Sequence, residues 1–463
     1  MRRNPVKKFL TITASAIALS MAGSALAQET VETERPAQSD APAAPLDDAD
    51  SYFDGTAMTS GNQSYITQYS DGNDADVDQS NSTGGNGYAE IVQGTPSGGA
   101  GGNSASVDQS GSGANNALIE QKSTARSNGF SPAGEPTRPA GRDTADRSDR
   151  GGAAQLAVID QTNDAGSSAE ANDAVIQQGV SGVAGFANEA QIAQNGSGNE
   201  AVVVQGGGTN HEDGNMFSNV AQTGTGNIAQ SKQGEADYSN IEQSGDGNEA
   251  YVDQGDLFGV LGRTSDVSQN GTGNMASVQQ NARDAMSSVL QGLDDADSAS
   301  NDAVVIQDAN AVSVIEQNGT GNMAQTEQSG ALASAYVDQI GSGNDSFIRQ
   351  TADSTATANQ YGSSGVSDIL QSGEGNSATL TQTVGSSLER SLIEQNGTNG
   401  VVEVTQRGTD NYSEVFQLAG DMNSAIVEQG GSANYSTVTQ GGSNNSASVS
   451  QNVSASMGLP MAQ

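Results

Sequence analysis

The chain has 463 residues and a formal net charge of −38, from 17 basic and 55 acidic residues. A chain this negative is a poor partner for nucleic acid, whose binding depends on basic surface. It has no cysteine, no tryptophan and only 18 Phe and Tyr residues. Neither disulfides nor a conventional aromatic-rich core can therefore hold a domain of this length together.

The first 27 residues have the pattern of a secretory signal peptide. Four basic residues precede a short apolar stretch at 9–21, and a small-residue cleavage site follows at Ala25–Ala27. The apolar stretch is too short to cross a bilayer, and no later segment is long enough either. We therefore predict a secreted protein without membrane insertion, whose charge after cleavage is about −42.

Composition divides the rest of the chain into four parts. Residues 28–60 are acidic and proline-containing with little periodicity, which predicts a flexible N-terminal segment. A first repeat block follows at 61–121. The segment 122–150 is rich in proline and arginine and is predicted to be an insertion loop. Such a loop is either a disordered, solubilising segment or a docking site for the acidic repeats of a neighbouring molecule. The main repeat block is 151–463.

The repeat itself is Gln-x-Gly-x-Gly-Asn-x-Ala-x-Val-x-Gln, which is clearest at 194–205. From Gln307 to Gln451 the closing glutamines are 10 to 13 residues apart, mostly 11, and about 30 units can be found. A fixed period of this kind indicates a solenoid. With Asn at position 0, the Ala, Val and Gln fall at positions 2, 4 and 6, which is one face of a strand. The glycines supply the turns.

This pattern predicts an all-β fold, a β-solenoid of stacked strand-turn-strand repeats with about 22 residues per coil and two facing sheets. In the units 269–280, 317–328, 339–350 and 371–382 the closing strand begins with Asn, and the strand before it generally does not, so two strands and two turns make one coil. At about 4.8 Å per rung, about 15 coils would extend roughly 70 Å.

An interior of Ala and Val buries little area, so the inward amides need an explanation. Each amide can donate to the equivalent amide one coil ahead and accept from the one behind, which avoids the cost of an unsatisfied buried amide. The predicted structural amide ladder consists of Asn199, Gln205, Asn227, Gln233, Asn248, Gln254, Asn274, Gln280, Asn322, Gln328, Asn344, Gln350, Asn376, Gln382, Asn423, Gln429, Asn434, Gln440, Asn445 and Gln451.

The outer face offers few signs of chemistry. The single histidine, His211, falls in a glycine-rich loop and is interpreted as a stray polar residue, so no catalytic or cofactor-binding residue is predicted. Oxygen ligands for calcium are plentiful, but the calcium-binding nonapeptide repeat is not found, which favours solvated charge. Tyr65, Tyr251, Tyr336 and Phe347 fall on the outer face, either as adhesive or lateral-packing groups or as ordinary strand formers.

The repeats resemble curlin repeats, the strand-turn-strand units of bacterial curli subunits. The family pattern Gln-x-Gly-x-x-Asn-x-Ala-x-x-x-Gln matches Gln222, Gly224, Asn227, Ala229 and Gln233, and similar copies cover most of residues 62–451. The position six residues before the first Gln is usually Ser in the family, but it varies in this chain. The chain is also several times longer than the familiar subunits.

The resemblance implies an extracellular functional amyloid of a Gram-negative-type bacterium, used in biofilm matrix, cell aggregation and adhesion. It implies self-association into a homopolymer, an outer-membrane secretion pore and nucleator proteins as partners, with a surface or matrix polysaccharide as a further candidate. Residues 28–60 would then be the pore-targeting segment. The alternative hypothesis is a monomeric, rod-like surface adhesin with the same fold. An open strand edge at the end of the stack favours polymerisation.

Overall fold

The computed structural model describes residues 46, 49–53, 61–69, 73–80, 86–94, 103–122, 155–165, 170–179, 188–206, 216–234, 237–255, 262–292 and 298–452. The chain divides into two compact units, 1–37 and 38–463, and every described residue belongs to the second. The predicted signal peptide, His211 and nearly all of the 122–150 insertion lie outside the described residues.

The described part is a two-sheet β-solenoid with one short helix, α1 (Ala49–Phe53). The odd sheet consists of β1 (Gln63–Gln68), β3 (Gly87–Gln93), β5 (Asn115–Gln121), β7 (Asn172–Gln178), β9 (Glu200–Gln205), β11 (Ile228–Gln233), β13 (Glu249–Gln254), β15 (Met275–Gln280), β17 (Asp302–Gln307), β19 (Met323–Gln328), β21 (Asp345–Gln350), β23 (Val366–Gln371), β25 (Arg390–Gln395), β27 (Tyr412–Gln417) and β29 (Tyr435–Gln440). The even sheet consists of β2 (Asp74–Gln79), β4 (Ser104–Gly111), β6 (Leu156–Asn163), β8 (Glu189–Ser197), β10 (Phe217–Thr225), β12 (Tyr238–Asp246), β14 (Thr264–Thr272), β16 (Met286–Gln291), β18 (Val312–Thr320), β20 (Ser334–Ser342), β22 (Ser354–Gln360), β24 (Asn376–Gln382), β26 (Val401–Thr409), β28 (Ser424–Ser432) and β30 (Ser446–Gln451). The all-β solenoid with two facing sheets is therefore confirmed.

All strand pairs within each sheet are parallel and in register. Successive strands alternate between the sheets, so each strand pairs with the strands one coil before and one coil after it. In the odd sheet, for example, Gln205, Gln233 and Gln254 lie side by side. Equivalent residues of the repeat are thus stacked in columns along the axis.

The alternation of side chains buries the predicted face. From Asn248 to Gln254 every second residue is fully buried, whereas Glu249, Tyr251 and Asp253 between them are partly exposed. The core is a continuous column of alanines and β-branched residues contributed by both sheets, from Ala89 near one end of the stack to Val438 near the other. Such small side chains keep the two sheets close together.

The glycines of the repeat form the turns from the even sheet to the odd sheet. Gly224 and Gly226 have φ of 121° and 67°, and a Cβ on Gly224 would overlap the carbonyl oxygen of Gly245 one coil on. β10 runs three residues past its closing Gln because this glycine segment stays paired in register with the next coil. In later coils Ser364 and Ala433 adopt the left-handed φ in place of glycine, both at 55°. The turn therefore requires the conformation rather than the residue type.

The number of residues per coil is not fixed at the predicted 22. Successive closing glutamines of the odd sheet are 21 to 24 residues apart after Gln307. Before Gln307 the spacing reaches 28, and it is 57 where the segment 122–150 is inserted. The strands on either side of these longer spacings remain paired in register, with Gln93 beside Gln121 and Gln121 beside Gln178.

The unit 371–382 lies in a different sheet from the other three units whose closing strand begins with Asn. The strands that close 269–280, 317–328 and 339–350 are β15, β19 and β21 of the odd sheet, whereas 371–382 closes with β24 of the even sheet. In the earlier coils the asparagine precedes the odd-sheet strand, whereas Asn376 precedes a strand of the even sheet. In the last coils both turns have an asparagine. The asparagine pattern alone does not show this change, which becomes visible when the closing glutamines are counted from Gln350 to Gln382.

The segment 28–60 includes the described residues 49–53. These residues form α1, which packs on the outward side chains of β7 and β9. Ala49 and Phe53 are buried in a second apolar cluster with Tyr88, Val175 and Val202. Outward apolar residues on these odd-sheet strands provide the surface that orders the helix.

Candidate functional site: amide ladders and the ends of the stack

An unbroken ladder of glutamine side chains runs along each sheet. In the odd sheet the closing glutamines from Gln68 to Gln440 are linked Nε2 to Oε1 at 2.8–3.1 Å. In the even sheet the same bonds link Gln79 to Gln451, also at 2.8–3.1 Å. Every coil therefore contributes two glutamines to the interior.

From Gln79 onward, each ladder glutamine also links its own sheet to the other. Gln205 Nε2 donates to Gln233 Oε1 at 2.8 Å and to the carbonyl oxygen of Glu189, across the interior, at 2.9 Å. A backbone carbonyl oxygen can only accept a hydrogen bond, so the glutamine amide must turn its nitrogen toward that carbonyl. The amide oxygen of the glutamine then faces the opposite way. The inter-sheet bond thereby sets the direction in which the ladder runs.

All ladder glutamines donate toward the C-terminal end of the stack. At that end Gln440 and Gln451 donate to the Ser424 and Tyr435 carbonyls, and within the described residues no further coil follows to accept their second N–H. At the other end Gln68 and Gln79 donate to the next coil but, within the described residues, no coil precedes them to donate to their oxygens. The two ends of the described stack therefore present complementary groups.

An asparagine ladder lies beside the turns and donates in the opposite direction. Asn227 Oδ1 accepts both the backbone N–H and Nδ2 of Asn248, each at 3.1 Å. The same bonds connect the odd-sheet turns from Asn172 to Asn344, and Asn172 donates in turn to Asn115. Asn227 Nδ2 also donates to the Gly245 carbonyl at 2.8 Å, which holds the turn to the next coil.

The structure distributes the predicted ladder residues over both sheets. The odd sheet and its turns hold Gln205, Gln233, Gln254, Gln280, Gln328, Gln350, Gln440, Asn199, Asn227, Asn248, Asn274, Asn322, Asn344 and Asn434. The even sheet and its turns hold Gln382, Gln429, Gln451, Asn376, Asn423 and Asn445. Sequence reasoning omitted Asn301, Gln307 and most even-sheet glutamines, although the same step of 10 to 13 residues connects these glutamines.

The asparagine ladder, unlike the glutamine ladders, is interrupted. Gly365 follows Asn344 and Gly400 follows Asn376, and in both cases only the glycine N–H bonds to the asparagine oxygen, at 3.1 and 2.8 Å. Asn376 therefore has no asparagine beside it in the next coil. Glu389 occupies the position after Gly365, and the ladder resumes with Asn434 bonded to Asn411 at 2.7 Å.

Comparison with known families identifies the last coils. The family model of the curlin-associated repeat matches residues 397–431 and 420–452. Residues 397–452 are thus similar to curlin-associated repeats. They include β26 to β30, where most turns of both sheets carry asparagine. No curated protein matches the sequence significantly.

Upstream of residues 397–452, Asp237 and Arg263 form a fully buried ion pair. Arg263 Nε and Nη2 donate to the two carboxylate oxygens of Asp237 at 2.9 Å, and the remaining guanidinium hydrogens reach the Gln280 and Gly255 carbonyls at 3.1 and 3.2 Å. Both side chains are completely buried. Burial raises the pKa of Asp237, and the charge and hydrogen bonds of Arg263 oppose that rise.

Glu389 is a buried acidic residue at a turn position where other coils have asparagine. Its oxygens accept the backbone N–H and Nδ2 of Asn411 at 3.2 and 3.1 Å, and the residue has no solvent exposure. Burial raises the pKa of Glu389 to about 7; the bonds from Asn411 act against the rise, and the nearby Asp410 adds to it. The folded state therefore holds this proton more tightly than the unfolded chain, so stability falls as the pH rises from about 4.5 toward 7.

The described residues contain no group of three or more His, Cys, Asp or Glu arranged to hold a metal ion. In the same part of the chain, no helix is both long and apolar enough to cross a membrane.

Adjacent glutamines in β15 give a matched test of the ladder. Gln280→Ala leaves the Gln254 donor and the Gln307 acceptor unpaired, and we expect a loss of about 2–4 kcal/mol in unfolding free energy. Gln279→Ala changes the same residue type on the outward face of the same strand, and we expect less than about 0.5 kcal/mol. Urea unfolding followed by circular dichroism measures both, and equal losses would show that the ladder contributes no stability.

The ion pair predicts that the stability lost by one substitution is restored by a second substitution in its partner. Arg263→Ala should cost about 3–5 kcal/mol because it leaves the Asp237 carboxylate buried without its partner. The double variant Asp237→Ala/Arg263→Ala should recover most of that loss, since Ala occupies the equivalent place before β16, β18 and β20. Arg283→Ala, at an exposed arginine, is the control. A double variant as unstable as the single one would contradict this account.

Replacing Glu389 tests the predicted pH dependence of the unfolding free energy. Glu389→Gln stays neutral, so we expect it to be more stable than the parent by about 1–2 kcal/mol at pH 8 and nearly equal to it at pH 5. Unfolding midpoints at the two pH values measure the difference. Glu374→Gln, on an exposed turn, should give a difference that does not change with pH. The same pattern in both variants would refute a special role for Glu389.

Proposed function

We propose that the chain is a structural protein that polymerises end to end into extracellular curli-like amyloid fibres. The observation that carries this proposal is the pair of complementary ends of the described stack. The curlin-associated repeats and the β-solenoid fold favour a structural rather than a catalytic protein.

The strand edges support stacking of one chain on another. Among the described residues, β1 and β2 at one end and β29 and β30 at the other pair on one side only. Side chains of β30 that would be inward are only partly buried, whereas their counterparts in β28 are buried. A further coil in the same register would satisfy the free backbone groups and cover these side chains.

The amides make such stacking directional. The free N–H groups of Gln440 and Gln451 would meet the acceptor oxygens of Gln68 and Gln79 of the next molecule. The asparagine column of the even-sheet turns would continue across the same junction, with a donor of the next molecule reaching Asn445, whereas the oxygen of Asn434 already accepts from Nδ2 of Asn452. Each junction would then have the contacts that already join consecutive coils within the chain.

The acidic surface works against assembly at neutral pH. In-register stacking places Asp78, Asp108 and Asp160 side by side, and burial together with the charge of Asp108 raises the pKa of Asp160. Elsewhere Glu316 and Asp338 are neighbours, and burial raises the pKa of Asp338 even though Tyr361 donates to it. Stacking therefore favours protonation of these carboxylates.

Export is part of the proposal. The N-terminal signal pattern fits secretion, and residues near 28–60 would present the chain to an outer-membrane pore. Nucleator proteins and a matrix polysaccharide are the proposed partners at the cell surface, in biofilm matrix, cell aggregation and adhesion.

Purified chain that lacks residues 1–27 tests polymerisation. We expect thioflavin-positive fibres whose X-ray pattern shows the strand spacing of about 4.8 Å along the fibre axis. Preformed fibres should shorten the lag of fresh protein. A chain that stays monomeric for days, even when seeded, would refute the proposal and favour a rod-like monomeric adhesin.

The pH dependence of assembly is a separate prediction. Lag times should be several-fold shorter at pH 5 than at pH 7, because protonation relieves repulsion between stacked carboxylates. Thioflavin kinetics at constant ionic strength measure this. Since salt screens the same repulsion, added NaCl at pH 7 should also shorten the lag. Lag times that respond to neither change would contradict the electrostatic argument.

A further inference from the structure

The first and last strands of the even sheet carry different outward side chains. Among the described strands, β2 is the one whose three outward residues before the closing Gln are all acidic, and β30 is the one in which they are all serine. These residues are Asp74, Asp76 and Asp78 of β2 and Ser446, Ser448 and Ser450 of β30. The most acidic strand and the all-serine strand therefore lie at opposite ends of the described stack.

Both ends of the described stack are open to solvent. The outward residues of β2 and β30 are exposed, and the inward alanine and valine of each strand are only partly buried at the margin of the core. In the odd sheet, the inward Ile66 of β1 is 48 % exposed, whereas Ile91 one coil further is fully buried. Each end therefore presents core residues that a further coil would cover.

The strands β2 and β30 match residue for residue when their closing glutamines are aligned. Both strands are six residues long. The register that joins all ladder glutamines would place Gln451 beside Gln79 of a second copy of the chain. Inward, alanine would then meet alanine and valine would meet valine. Outward, each serine of β30 would lie beside an aspartate of β2.

The chain already contains pairs of this kind. Asp74 and Asp76 are paired in register with Ser104 and Ser106 of β4. A serine hydroxyl can donate to a carboxylate, whereas like charges directly opposite each other destabilise a strand pair. A serine strand on the other side of β2 would therefore give these two aspartates neutral hydrogen-bond donors on both sides.

The odd sheet ends in uncharged outward residues at both of its described end strands. Tyr65 of β1 and Tyr435 of β29 are 52 % and 54 % exposed. In the aligned register Tyr65 would lie beside Thr437 of the other copy. Phe347, which the sequence also places on the outer face, is fully buried and offers no adhesive group. The charge at the junction therefore comes from β2.

We propose that β30 of one chain binds β2 of a second chain, and that the serine–aspartate pairs select this contact over contacts between like ends. The contact rests on the proposed end-to-end polymerisation, and it adds the side chains that choose one end over the other. Two acidic ends that meet would bring the aspartates of two β2 strands together, and their repulsion opposes that contact. The serine end is neutral and accepts the acidic end.

An exchange of residues between the two ends tests this selection. Ser446→Asp/Ser448→Asp sets aspartate against Asp74 and Asp76 of the next chain, and we expect self-seeded elongation at pH 7 to be about fivefold slower or more. Adding Asp74→Ser/Asp76→Ser to the same chain restores the pairs with their sides reversed. This four-residue variant has the composition and net charge of the parent, so we expect it to elongate within about twofold of the parent rate.

A matched control separates the junction from added charge in general. Ser334→Asp/Ser377→Asp adds the same two charges to outward positions away from the ends, where the neighbours in register are Val312, Thr355 and Val401. We expect less than about twofold slowing, because no like charges become opposed.

Each outcome of the exchange decides something. Control slowing equal to that of Ser446→Asp/Ser448→Asp would overturn the proposal, and so would a four-residue variant as slow as the two-residue variant. Fibres that all grow at the parent rate would overturn the serine–aspartate selection and leave polymerisation standing. A parent chain that forms no fibres would overturn both.

A cross-link measures the register of the junction, since the chain has no cysteine of its own. Paired residues of neighbouring strands are about 4.8 Å apart, which is within the range that a disulfide spans. Fibres grown from an equal mixture of Ser448→Cys chains and Asp76→Cys chains should give covalent dimers on mild oxidation. Fibres of either variant alone should give about tenfold less dimer, because each thiol then lacks a partner across the junction. Equal yields from the mixture and the single variants would overturn the proposal.

Discussion

The fold depends on one interaction, the buried glutamine amide that bonds at once to the next coil and to the opposite sheet. In most proteins a buried amide must find partners of unrelated sequence. In this chain the partner of each ladder glutamine is its own copy one coil away, and the second partner is a backbone carbonyl that every coil provides. The cost of burying polar groups is thereby met by the repeat itself.

The rest of the structure follows from this arrangement. The amides carry much of the cohesion, so the core can be built from Ala and Val and can do without disulfides and tryptophan. The in-register stacking that aligns the amides also aligns every other column, including the acidic ones on the outside. The cohesion of the interior and the repulsion on the surface are thus two results of the same geometry.

The sequence was sufficient to predict the strands, the inward face, the two sheets and the presence of amide ladders, because each of these follows from a local period. It did not predict the change of turn at Asn376 or the breaks at Gly365 and Gly400, because these depend on which sheet a unit occupies. The Arg263–Asp237 pair connects positions 26 residues apart that carry unrelated residues elsewhere in the column. The packing of α1 depends on outward side chains from several coils, and no periodicity in 28–60 indicates it.

The uniform direction of the glutamine bonds has an electrical consequence. Each amide is a small dipole, and dipoles that point the same way along an axis add, as peptide groups do in an α-helix. The asparagine column opposes this sum, but it is shorter and interrupted, whereas both glutamine columns span every described coil. The solenoid is therefore electrically polar along its length, and lengthening the stack increases its dipole moment.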